Sequence, residues 1–394
     1  MSVTHRSTGG EGTSVVEGLA GVLAGRTAIS SLDGRLRYRG YAVEELAEHG
    51  DYEETAYLLL HGELPDAAQR QAFVARLDTA AASIDDSVYG TLAVLARREP
   101  SASPMDAMRT AASCLGQVEC DNAAGATRDR LERAERLLGR MPAILAAWSD
   151  LAAGRAIAPW PGGGIARPLL ARLLGYEPDQ RRTHVFATTL VLYAEHEFNA
   201  STFAARTVVS TGSDMHSGLC AAIGALKGPL HGGANEQVLD QLAEIGTVER
   251  AAAWVAQQFA VRRVVMGFGH RVYKDGDERA RLLGTLCRSL AESEDGRRLE
   301  EMADIVEAEM LRVNGHRPNL DWPAARVYHA LGLPVRVFTP LFVVARTAGW
   351  TAHMMEQMAG NRLIRPSAAY TGPEPRVYRP LVERSPSSPP PVSR

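Results

Sequence analysis

Apolar residues recur at helical spacing through most of this 394-residue chain, and that periodicity predicts an almost wholly helical fold. Alanine, leucine and arginine dominate the sequence. In Tyr41–His49, residues Val43, Leu46 and Ala47 share one helical face. Ser103, Pro104 and Asp106 supply an N-cap, a proline at the first helical position and an early acid, launching a helix to Leu115. The one clear β signal is early: Thr27–Ser30 and Leu36–Arg39 flank Leu32-Asp33-Gly34 and predict a short hairpin. The expected class is therefore all-α, with one small N-terminal β-hairpin.

Composition narrows the partners. Apolar residues make up 45% and charged residues 23%, an ordinary globular balance, and the formal net charge is −3. Nothing in that charge recommends nucleic acid, although a small negative total leaves room for a local positive pocket. Four cysteines (Cys114, Cys120, Cys220, Cys287) show no CxxC spacing, which argues against a zinc site or a disulfide framework and fits a reducing cytoplasm. The N-terminus, Met1 to Ser14, is polar and lacks the apolar core of a signal peptide. No apolar run is long enough to span a membrane. Ser385 to Arg394 is Ser/Pro-rich and reads as a disordered tail.

Glycine and proline clusters punctuate the helices. Pro159 to Gly164 reads as a plain loop. Three other breaks each carry a titratable residue where the helix fails. They are Gly228-Pro-Leu-His231-Gly-Gly, Gly267-Phe-Gly269-His270, and Arg317-Pro-Asn-Leu-Asp321-Trp-Pro. Binding and catalytic groups favour such connections. Taken singly, each residue has an ordinary reading. His231 is a helix cap or packed polar group, Asp321 is an N-cap for the next helix, and Arg346 and Arg365 are surface ion-pair partners. Together they suit the enolisation of a weak carbon acid. A carboxylate takes the α-proton, a neutral imidazole hydrogen-bonds the enolate oxygen, and a second imidazole polarises the ketone under attack. Arginine forks clamp a dicarboxylate acceptor.

The ordered strings His196-Glu-Phe-Asn-Ala-Ser-Thr, Gly228-Pro-Leu-His231-Gly-Gly-Ala-Asn235 and Met266-Gly-Phe-Gly-His270-Arg-Val-Tyr-Lys274 resemble citrate synthase. So do Pro318-Asn-Leu-Asp321, Ala345-Arg346-Thr-Ala-Gly-Trp and Asn361-Arg-Leu-Ile-Arg365. The resemblance starts at Gly18 and runs to about Arg384. It implies a base at Asp321, an enol-stabilising His231 and a ketone-polarising His270. It implies acceptor binding by His196, Arg279, Arg346 and Arg365, with Arg365 reaching across from a neighbouring subunit of a homodimer. Coenzyme A phosphates would meet Lys274, with Arg271 and Arg317 as further candidates. The substrates implied are acetyl-CoA or propionyl-CoA and oxaloacetate, and neither a metal nor a permanently bound cofactor is implied. The family fold implies a large helical domain from residues 15–233 and 335–384, a small helical domain from residues 234–334 that closes over the acceptor, and disordered ends at residues 1–14 and 385–394.

Departures from the family pattern lie at three places. Asp277-Glu278-Arg279 replaces the usual Asp-Pro-Arg, so Glu278 either points to solvent or marks an altered acceptor pocket. Trp322-Pro323-Ala324 and the stretch Ser367 to Arg376 resemble the 2-methylcitrate synthase branch. The region Gln117 to Pro178 looks shortened. Three other readings compete. The same chemistry on an oxaloacetate analogue rests on Glu278 alone. A dinucleotide-binding oxidoreductase founders on the missing third glycine after Gly267-Phe-Gly269. A non-catalytic relative fits poorly with His231, His270 and Asp321 together.

Overall fold

The computed structural model describes residues 15–19, 21–99, 101–119, 127–269 and 276–384. Cys120, His270, Arg271 and Lys274, and the terminal segments 1–14 and 385–394, therefore lie outside the described residues. Sixteen α-helices form among the described residues. The first eight are α1 Val43–His49, α2 Tyr52–His61, α3 Ala67–Ala82, α4 Asp86–Arg98, α5 Pro104–Glu119, α6 Thr127–Ala152, α7 Ala166–Leu174 and α8 Gln180–Tyr193. The rest are α9 Ala200–Ser210, α10 Met215–Leu226, α11 Ala234–Ile245, α12 Ala251–Ala260, α13 Glu278–Leu290, α14 Glu294–Asn314, α15 Asp321–Ala330 and α16 Phe338–Ala359. Most starts are written in the sequence. Asp51, Asp66, Asp179, Asn199 and Asp214 each accept a backbone N–H of the first turn of the helix they precede. Ser103 Oγ accepts from Met105 N at 3.2 Å at the head of α5, as the sequence predicts.

The predicted hairpin is present and acquires a third strand. Strands β1 Ser30–Ser31, β2 Arg37–Tyr38 and β3 Tyr41–Ala42 pair antiparallel in the order β1-β2-β3, with Ser30 opposite Tyr38 and Arg37 opposite Ala42. The β2–β3 turn is two residues, Arg39 and Gly40, with φ of 49° and 94°. Two positive φ values match the twist of a tight hairpin. Arginine is an unusual residue there, and sequence reading passed over it. Its guanidinium holds the conformation by donating to Leu59 O at 2.8 Å.

Helix α16 is the structural axis. Every residue from Phe338 to Met354 is buried, and the helix packs against α2, α6, α8, α9 and α10. A helix buried all round is expected to be apolar all round. This one carries Arg346, Thr347, Thr351 and His353 inside the core. The threonines return their hydroxyls to carbonyls one turn back, Val343 and Thr347, at 2.7 Å. Arg346 and His353 need other partners, and those partners build the site. Along the C-terminal half, α13 and α11 pack on α15, and α12 packs on α14. The chain divides into two compact units, Thr27–Ile364 and a second comprising the described parts of Met1–Arg26 and Arg365–Arg394. Among the described residues no helix is long and apolar enough to cross a membrane.

Candidate active site

Each of the three marked segments contains a break between helices, though not always with the expected bounds. Helix α10 stops at Leu226 and α11 starts at Ala234, so Gly228–Gly233 is a genuine interruption. At the second, α12 already ends at Ala260, so among the described residues the helix has stopped well before Gly267. Arg262, Gly267 and Gly269 all take positive φ there, which no helix continues through. The second and third breaks are tied by backbone bonds, Asn319 N to Gly267 O at 2.9 Å and Gly269 N to Arg317 O at 3.0 Å. Gly267 is required for that approach. A Cβ on it would lie 2.8 Å from Trp322 Cβ.

Asp321 is the first residue of α15, with Leu320 as its N-cap. It is not itself the cap. Its backbone N–H donates to Asn319 Oδ1 at 3.0 Å, and Oδ1 of its carboxylate accepts from the Tyr193 hydroxyl at 2.8 Å. Burial pushes the carboxyl up to about 6, against the opposing pull of the Tyr193 hydroxyl, Arg279 and Arg346. A carboxylate poised there is mostly ionised at neutral pH yet more basic than a solvated aspartate, which suits a general base.

His231 Nε2 lies 2.9 Å from Ser201 Oγ. The Trp350 indole donates to the same Oγ at 3.1 Å, occupying one of its lone pairs. The hydroxyl proton then has two acceptors in reach, His231 Nε2 and Asn199 Oδ1 at 2.8 Å. When it turns to His231, the imidazole carries its own proton on Nδ1, free to donate to a ligand oxygen. Burial, and then the charge of Arg346, push the His231 pKa down to about 4, so the ring is neutral at pH 7.

His231 and Asp321 line one cleft of about 620 Å³ together with Tyr193, His196, Arg279, Asn319, Phe342 and Arg346. Arg346 is buried, its Nε donates to Tyr193 O at 2.6 Å, and its Nη1 has no hydrogen-bond partner among the described residues. Burial lowers its pKa to about 10, with Glu195 the leading counter-charge. Arg279 is held by Asp277, whose carboxylate receives its Nη2 at 2.7 Å and its Nε at 3.0 Å. Phe342 forms the apolar floor, 4.4 Å from the Tyr193 ring, 6.0 Å from the His231 ring and 4.6 Å beneath the Arg346 guanidinium. Two buried cations in one cleft suit a multiply charged anion.

Of the sequence-predicted residues, the structure thus gathers Asp321, His231, His196, Arg279 and Arg346 in one cleft. Arg317 is exposed outside that lining. Arg365 is exposed at the start of the terminal unit. Glu278 faces away, pairing with Arg281 at 2.8 Å on an exposed surface. Tyr193, Ser201, Asp277, Phe342 and Trp350 carry no sequence-based role. Ser201 and Trp350 lie inside the quoted motifs, and the signal for them was their place in those strings. Tyr193 and Phe342 lie outside every quoted motif.

The family described as citrate synthase, C-terminal domain, matches residues 18–367. The chain belongs to the citrate synthase family. It is 43% identical over 383 residues to 2-methylcitrate synthase 2 of Corynebacterium glutamicum, covering 94% of this chain and 98% of that protein. It is 41% identical over 372 residues to citrate synthase of Mycolicibacterium smegmatis, covering 93% and 97%. Among solved structures it is similar to citrate synthase from Thermoplasma acidophilum in ternary complex with carboxymethyl coenzyme A and oxaloacetate. The TM-score is 0.88 at 31% identity, with 94% of this chain and 100% of that chain covered. The helical class expected from periodicity is the fold of this citrate synthase relative.

Proposed function

We propose that this chain condenses the acyl group of a coenzyme A thioester with oxaloacetate and hydrolyses the adduct, making citrate or 2-methylcitrate. One observation carries the reading. A carboxyl raised to about 6 and an imidazole held neutral share a cleft with two buried arginines.

Asp321 takes the α-proton of the thioester, and the C–H electron pair moves into an enolate whose oxygen His231 Nδ1–H stabilises. Arg279, Arg346 and His196 bind the carboxylates and carbonyl of oxaloacetate, and His270 polarises its ketone. The enolate carbon attacks that ketone carbon, a C–C bond forms, and the ketone oxygen takes up a proton. Water then adds to the thioester carbonyl and free coenzyme A leaves, which makes the sequence irreversible in practice. Coenzyme A phosphates meet Lys274, Arg271 and Arg317, and no permanently bound cofactor takes part. Closure of residues 234–334 over the acceptor excludes water, so the enolate meets the ketone rather than a proton donor. A homodimer in which Arg365 reaches the neighbouring site completes the proposal.

Acetyl and propionyl thioesters differ by one methylene, typically worth about 1–3 kcal/mol of discrimination, and relatives of both names match this chain almost equally. Thiol release from acetyl-CoA and from propionyl-CoA, each with oxaloacetate, together with the product mass, tests the reading and ranks the two thioesters. No release with either thioester across several 2-oxo acids refutes it.

A further inference from the structure

The acceptor side of the cleft is backed by a buried polar chain that no step above uses. Glu195, fully buried, precedes His196 in sequence. Its Oε1 accepts from Ser30 Oγ at 2.9 Å and from His353 Nε2 at 2.8 Å. The other ring nitrogen, Nδ1, faces Arg206 Nη1 at 2.9 Å. Arginine only donates and an ionised carboxylate only accepts, so His353 is fixed with its proton on Nε2. Arg206 Nη1 also donates to Glu356 at 2.7 Å, and its guanidinium lies 4.5 Å over the Phe198 ring.

The turn carrying His196 is pinned on both flanks by the small sheet. Tyr38 Oη donates to Glu195 O at 2.9 Å and accepts from Glu195 N at 3.2 Å. Ser30 Oγ accepts from Glu197 N at 3.0 Å. Glu197 itself sits at a φ of 51°, a conformation costly for a glutamate and held only by its surroundings. Arg346, Gly349, Trp350, His353 and Glu356 all stand on one face of α16 at helical spacing. Gly349 makes room for Glu195, since a Cβ there would lie 2.2 Å from Glu195 Oε2. Glu195 is also the leading counter-charge to Arg346.

We propose that Glu195 and His353 are positioning residues for acceptor binding: the pair fixes the turn that presents His196. The inference rests on the condensing reading. It separates the two halves of the reaction, because Asp321 is supported by Tyr193 and Asn319, and His231 by Ser201 and Trp350.

The test compares His353→Leu, which keeps bulk and removes the donor, with His353→Gln, which restores an N–H, and with Ser30→Ala. Loss of one hydrogen bond to a buried charge corresponds to roughly a ten- to hundredfold rise in KM for oxaloacetate. KM for the acyl thioester and kcat should stay within about threefold of the parent enzyme, and His353→Gln should recover most of the loss. Thermal unfolding identifies any variant that fails to fold. For such a variant, Ser30→Ala and calorimetric oxaloacetate binding decide the matter. Unchanged oxaloacetate affinity in folded variants, or equal losses on both substrates, overturns the proposal. If the parent enzyme turns over neither thioester and binds no oxaloacetate, the condensing reading falls and this one with it. A working parent with indifferent variants sinks this one alone.

Discussion

Replacing Tyr193 by phenylalanine isolates one bond in the proposed base. The ring, 4.4 Å from Phe342, stays in place, and the backbone carbonyl that receives Arg346 is untouched. What goes is the hydroxyl donating to Asp321 Oδ1 at 2.8 Å. That hydroxyl favours the ionised carboxylate, so its loss raises the Asp321 pKa further above its starting value of about 6. A hydrogen bond to a charged group is worth about 1.5–3 kcal/mol, which at 1.36 kcal/mol per pH unit moves the titration to about pH 7–8. At pH 7 the ionised fraction then drops from about nine-tenths to between about a half and a tenth. The acidic limb of kcat/KM for the acyl thioester, followed by thiol release from pH 5 to 9, should shift upward by that amount. The rate at pH 7 should fall by a factor of roughly two to nine and recover at alkaline pH. An unmoved limb with uniformly reduced rate would show that the hydroxyl does something other than tune the base.

Three further outcomes follow from the same geometry. Asp321→Asn should stabilise the protein at neutral pH. The folded-state pKa of about 6 exceeds the ordinary 3.8, so the folded state holds the proton more tightly and stability falls as pH rises through that window. The gain should be on the order of 2–3 kcal/mol above pH 6 and vanish below about pH 4, as read by denaturant titration at several pH values; equal stability at pH 7 contradicts it. Gly349→Ala places a methyl 2.2 Å from Glu195 Oε2 and 2.4 Å from Ala194 O. It should cost about 1–3 kcal/mol, visible as a lower Tm; an unchanged Tm means that the Glu195 turn yields easily. Glu278→Pro puts proline at the first position of α13, where helices accept it. Because Glu278 pairs with Arg281 away from the cleft, acceptor preference among 2-oxo acids should stay where it was, and a changed preference would restore the altered-pocket reading.

Legibility in the sequence followed the range of the interactions. The start and cap of α5, the buried face of α1 and the presence of a break in each marked segment are local matters of spacing and capping, and the residues placed them; α5 runs on past Leu115 to Glu119 and α12 stops before Gly267. The third strand escaped because its turn is Arg39-Gly40 rather than a recognised pair, stabilised by Leu59 twenty residues away. The cleft was legible through motif residues that meet only in the fold, namely His231, Asp321, Arg279 and Arg346. Their supports were not, because these lie far off in sequence. Tyr193 is 128 positions from Asp321, and His353 is 158 from Glu195. No periodicity encodes such a pairing. A histidine and an arginine inside a wholly buried helix were the available clue, since buried polar groups require partners.

The central claim is that Asp321 removes the α-proton while the arginines hold the acceptor, and one measurement addresses both halves. Steady-state turnover of Asp321→Asn with acyl-CoA and oxaloacetate should fall by about 100- to 10,000-fold, while calorimetry finds oxaloacetate bound as tightly as by the parent enzyme. Turnover preserved to within about tenfold would place the base elsewhere and contradict the account.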